Sequence, residues 1–152
     1  MMMKRSTLFA CAALAAVSFT APAMADEAGE IKYRQSVMKS IGGHMGAIAG
    51  IFKAQTGNQT NLAVHTQGIT ALAGITGSVF PKGSDFGETE ALPAVWEKPG
   101  EFSKAVKMFQ DAAAKLNSAA MSGDMAATGA AFGGLGKTCK NCHENFREKK
   151  KQ

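Results

Sequence analysis

Sheet-forming alternation is what this chain most conspicuously lacks. Aromatic residues make up 7% of it, and no stretch alternates aromatic or β-branched residues with polar ones, so a strand-built fold has no pattern to rest on. Charge of one sign is equally sparse. The one dense basic cluster, Arg147, Lys149, Lys150 and Lys151, lies at the C-terminal end of a helical pattern, where cations complement the helix dipole. It reads as a solvated helix end, and no nucleic-acid partner is expected. Long hydrophobic runs are missing too: the apolar stretch from Leu8 to Phe19 falls short of the roughly 20 residues that span a bilayer. Cysteine occurs at only Cys11, Cys139 and Cys142.

The first 25 residues have the layout of an export signal: basic Lys4 and Arg5, the short apolar run, then small residues at Ala23-Met24-Ala25. Residues 1–25 are therefore expected to be removed, leaving 26–152 as one domain in the periplasm with no membrane insertion. Removal takes two of the 17 basic residues and none of the 12 acidic ones, so the mature charge is 15 − 12 = +3. It also takes Cys11, which leaves two thiols three positions apart in an oxidising compartment, available for a redox disulfide, a metal or haem.

Helical spacing replaces the missing alternation. Ile31, Arg34, Met38, Ile41, Met45, Ile48 and Phe52 recur at steps of three and four and predict a helix over 27–54, with Arg34 the only charge on its seam. Leu62, His65, Ile69, Leu72, Thr76 and Val79 predict a second helix over 58–79, weakened by Gly68, Gly74 and Gly77. Residues 80–100, rich in Pro and Gly, form a long connection with one helical turn near 91–96. Phe102, Val106, Phe109, Ala113, Leu116 and Ala120 restore the seam. Ser122-Gly123-Asp124 ends that helix and caps the last one, which runs from Met125 to Phe146. Met45, Met108, Met121 and Met125 read as core fillers, and Trp96 as a residue that packs the connection onto the bundle. The expected fold is all-α, an antiparallel up-down-up-down four-helix bundle.

Cys139-Lys140-Asn141-Cys142-His143 carries the chemistry. On a helix the two thiols share a face and can add to the two vinyl groups along one edge of a porphyrin, while His143 turns under the ring as the proximal iron ligand. A thioredoxin-type dithiol would begin a helix within a βαβ pattern, and a zinc site would need further ligands from His44 or His65. The export signal, the position late in the last helix and the adjacent His favour one covalently bound haem c.

With that motif near the C-terminus, the chain resembles the cytochrome c′ family of class II c-type cytochromes. The resemblance spans 27–148 and rests on Tyr33 to Met38 with Gly43-His44-Met45, on Val79 to Ser84, on Ala94 to Glu97 with Phe102, and on Cys139 to Arg147. It implies that Arg34, with Gln35 beside it, lies by the haem propionates, that Met38 covers the open haem face, and that Arg147 stands beside the proximal ligand. Independently, a cation on an apolar seam calls for an anionic partner. His65 reads as a core or interface histidine, and His44 resembles a first-helix histidine of the family that does not ligate iron.

The resemblance further implies a five-coordinate iron that binds small diatomic gases such as NO and CO, and a homodimer formed through the first two helices. Single-electron exchange with periplasmic redox partners is compatible with the same site. The alternative is a low-spin electron carrier with Met38 as sixth ligand. A haem enzyme would want a polar acid or base over the iron, where the seam offers Met38 and Ile41, so no enzyme is expected.

Overall fold

The computed structural model describes residues 26–54 and 56–149. The expected export signal lies outside them. Helix α1 runs Glu27–Phe52; the Asp26 side chain accepts from the Ala28 amide at its start, and Glu27 and Glu30 in the first turn suit the positive end of the dipole. A short 3-10 turn at Gln59–Asn61 leads into α2, Leu62–Ile75. One turn, α3 (Ala94–Glu97), interrupts the long connection, and α4 follows at Pro99–Met121 with Pro99 in its first turn. Gly123, at φ +76°, reverses the chain, and the Asp124 carboxylate accepts from the Ala127 amide at 2.9 Å to open α5, Met125–Phe146.

The expected four-helix bundle is present, with α2 between α1 and α4, and α5 against α4. No strand occurs among the described residues. Ile48, Ile69, Ala113, Leu116 and Leu135 are wholly buried and bring all four long helices into one core. Burial of an aliphatic side chain this completely contributes about 1.5–3 kcal/mol. At the far end of the bundle α1 and α5 meet through the Phe52 and Phe132 rings, with centroids 5.8 Å apart. A second cluster, Val95, Phe102, Ala105, Val106 and Phe146, packs α3 and the connection against the C-terminal end of α5.

Three expectations change. The second helix stops at Ile75, not at 79: the Thr76 amide bonds three residues back to Ala73, and the Ser78 hydroxyl and amide both bond Ile75 O, so the chain tightens and leaves the helix ahead of Pro81. Val79 still reaches the core from that turn. On α2 Thr66 takes the fully buried place beside Ile69 that the spacing gave to His65; its hydroxyl donates to Asn117 Oδ1 at 2.9 Å, while His65 stays half-exposed. Of the four methionines expected in the core, only Met45 packs there; Met108, Met121 and Met125 are exposed. Helix α4 buries Phe102, Val106, Phe109, Ala113 and Leu116, which leaves Met108 and Met121 off the buried stripe, and Met125 is the first residue of α5.

Just after α1, Ala54 holds φ +55°, the one non-glycine residue with positive φ among those described. A Cβ there clashes with backbone at a cost of about 1 kcal/mol. Ala54→Gly should therefore stabilise the haem-loaded protein by about 0.5–1 kcal/mol. Thermal unfolding should show Tm rising by about 2–5 °C; a fall in Tm would contradict the conformation.

Candidate functional site

Cys139, Cys142 and His143 occupy the last two turns of α5, all half-buried. Cys139 packs against the main core together with Met38 of α1, whereas Cys142 packs into the second cluster with Phe80 and Trp96. Burial pushes both thiols above the ordinary cysteine range; Cys139 adds to the effect on Cys142, and Arg147 opposes it. That is the reverse of what a redox dithiol needs, since thiolate is the reactive form. Burial and, second, the Arg147 charge hold His143 below the usual histidine range, with Glu90 opposing, which favours the neutral imidazole whose lone pair can bind a metal. Two half-buried thiols on one helix face with an adjacent neutral imidazole suit a c-type haem. Among the described residues no cluster of three or more His, Cys, Asp or Glu offers a metal cage instead.

The end of α5 is fastened by the connection. Leu92 N–H donates to Phe146 O at 3.0 Å and Glu148 N–H to Glu90 O at 2.8 Å, and Ala91 pairs antiparallel with Arg147. The connection is in turn fastened to α1 by Arg34, which is 4% exposed. Its Nη1 donates to Ser84 Oγ at 2.7 Å and to Val79 O at 3.4 Å; its Nη2 donates to Ser84 O at 2.9 Å and to Thr89 Oγ1 at 2.8 Å. The guanidinium lies over Phe80 and Trp96, 4.9 and 5.8 Å from the ring centroids. Burial lowers its pKa and Glu30 opposes this, yet a guanidinium remains charged. Its hydrogen-bond partners are neutral oxygens, not the anion expected from the seam. Gln35 Nε2 adds a bond to Glu88 O at 2.8 Å, and Trp96 Nε1 donates to Pro81 O at 3.1 Å.

The structure thus packs Met38 and Cys139 against the same core cluster, and brings Arg34 and Gln35 to the connection that clasps the end of α5. Arg147 is exposed at the C-cap of α5, beside Cys142 and His143. Ser84 and Thr89 were missed as working residues. A lone Ser in a Gly-rich connection carries no periodicity, and only the buried arginine, which needs several acceptors, hinted that such partners had to exist.

The sequence profile of the cytochrome c′ family matches residues 29–147. The chain belongs to the cytochrome c′ family. It is 40% identical to cytochrome c′ of Pararhodospirillum photometricum over 119 residues, 78% of this chain and 95% of that one. Among solved structures it resembles a nitric oxide complex of a variant cytochrome c prime from Alcaligenes xylosoxidans, at TM-score 0.77 and 30% identity, covering 84% of this chain and 99% of that one. A carbon monoxide complex of another variant from that organism aligns at TM-score 0.76 and 30% identity, over 82% and 98% of the two chains. Membership of the family makes this a haem c protein, as the motif predicted. No helix among the described residues is long and apolar enough to cross a membrane.

Removing the guanidinium should cost more than removing a surface ion pair, because buried Ser84 and Val79 oxygens lose their donor. Arg34→Leu should destabilise the haem-loaded protein by about 3–5 kcal/mol in urea unfolding. Arg34→Lys should still lose about 2 kcal/mol, since one ammonium cannot reproduce the planar fork and its stacking. Wild-type stability in Arg34→Lys would show that charge alone suffices.

Proposed function

We propose that this protein is a periplasmic cytochrome with one haem joined by thioethers to Cys139 and Cys142, with His143 as proximal ligand, and that it binds NO and CO on the opposite face of a five-coordinate iron. The observation that carries the reading is the packing of Met38 and Cys139 against one core cluster. The α1 side chains Val37, Met38 and Ile41, which lie in or against that cluster, offer no acid or base. The bound haem would supply reversible diatomic binding and a one-electron couple, so exchange with periplasmic redox partners uses the same centre. The protein is accordingly proposed as a binder and carrier, not an enzyme.

Each side chain has a role in this reading. Arg34 and Gln35, at the junction of α1 and the connection, stand by the propionates, Arg34 keeping its loop bonds while its charge favours the anion. Arg147 stands beside His143, where a donor steadies a small ligand on the proximal side. The nitric oxide and carbon monoxide complexes of the related proteins support gas binding. Residues 1–25 act as the export signal, and a homodimer forms through α1 and α2. A second reading follows from the same half-buried Met38: its thioether is a legitimate iron ligand, and bonded to iron it would make the protein a six-coordinate electron carrier.

Spectroscopy of the exported protein separates the two. The ferrous spectrum should be high-spin, should shift on adding CO or NO, and should change little in Met38→Leu. A low-spin ferrous wild type that becomes high-spin in Met38→Leu supports the second reading. Mass spectrometry of the same sample should show a chain beginning near Asp26 with one haem that survives acid and organic extraction. Cys139→Ser with Cys142→Ser should lose it; extraction of haem from the wild type would contradict covalent attachment.

A further inference from the structure

Away from the haem motif, α1 and α2 are bridged by two histidines. His44 Nδ1 and His65 Nδ1 lie 3.1 Å apart, with ring centroids 5.4 Å apart and planes 61° to each other. Both are half-buried. His44 lies close against α2: a Cβ on Gly68 would come within 2.6 Å of His44 Nε2, so glycine at 68 is what leaves room for the ring. His65 also lines an open depression of about 330 Å³ whose wall includes Thr56, Asn58 and Asn61, which gives water or a solvated ion access to the His65 side of the pair.

We propose that His44 and His65 form a two-histidine chelate for a divalent transition-metal ion, Cu2+ or Zn2+. Two imidazole nitrogens bound to one such ion at about 2.0–2.1 Å, with an angle of about 90–109° between the bonds, stand about 2.8–3.4 Å apart. The observed 3.1 Å falls in that interval. In the metal-free pair one Nδ1 donates to the other. On coordination the donor ring passes its Nδ1 proton through solvent to its own Nε2, so two neutral imidazoles remain and two metal-bound waters leave. The outer torsion of histidine is a broad, two-fold well, so both rings can pivot to turn their lone pairs onto one ion. The remaining positions on the ion stay with water. With only neutral nitrogen ligands the site should take Cu2+ more tightly than Zn2+. It uses no residue of the haem site.

Equilibrium dialysis of haem-loaded protein against Zn2+ or Cu2+, followed by elemental analysis, tests this. One ion per chain beyond the haem iron is expected, with affinity falling at least tenfold in His44→Ala and in His65→Ala and the haem spectrum unchanged. Gly68→Ala, which retains both ligands but displaces the His44 ring, should weaken binding by a similar factor. It keeps the test open where a histidine variant misfolds. Electron paramagnetic resonance of the Cu2+ form should show coupling to two imidazole nitrogens. Dialysis at protein concentrations below and above self-association covers the case in which a second copy lies over the pair. No binding at either concentration, or equal binding by wild type and all three variants, would overturn the proposal.

Discussion

A buried guanidinium organises the haem-binding end of this molecule. Arg34 leaves water at a cost that only several hydrogen bonds can offset, and the oxygens that meet it come from Val79, Ser84 and Thr89, all on the connection between α2 and α4. Satisfying one side chain of α1 therefore fixes the path of a segment 45 to 55 residues away in sequence. That segment then pairs with the last turn of α5 through Leu92, Phe146, Glu90 and Glu148. The Cys-His motif is held from both sides: its own helix below, and a loop anchored by Arg34 above.

Aromatic packing reinforces the same path. Phe80 meets Trp96 and Phe102 in edge-to-face contacts, and Phe102 meets Phe146 with centroids 5.3 Å apart, so a chain of rings runs from beneath Arg34 to the end of α5. Each such pair adds about 0.5–1.5 kcal/mol beyond area burial. The bundle core, by contrast, is aliphatic and far less directional; it sets which helices lie together, and the Arg34 network sets how the connection crosses their end.

The bundle was largely legible in sequence because helical seams and caps are local signals. Asp124 was read as a cap and is one, and Ile31, Arg34, Ile41 and Ile48 share the buried face that their spacing implied. The haem motif was legible for the same reason, since its three residues lie within five positions. What escaped were pairings across long separations. Arg34 called for an anionic partner, and nothing local showed that neutral oxygens of Val79, Ser84 and Thr89 would meet it, just as the spacing that put His65 on the seam could not tell it from Thr66 beside it, which satisfies its hydroxyl on Asn117. Met108 and Met121 were assigned by residue type alone; the stripe on their own helix would have placed them outside.

The coupling from α1 to the haem-bearing end of α5 is the central claim, and amide hydrogen exchange on the haem-loaded protein tests it most directly. The probes are the Leu92 and Glu148 amides, which close the connection onto the end of α5. In Arg34→Leu their protection should fall by at least tenfold more than that of core amides such as Leu116, as local opening detaches the loop before the bundle unfolds. Protection at Leu92 and Glu148 that falls only in step with Leu116 would show that the end of α5 holds the connection without Arg34, and would contradict the account.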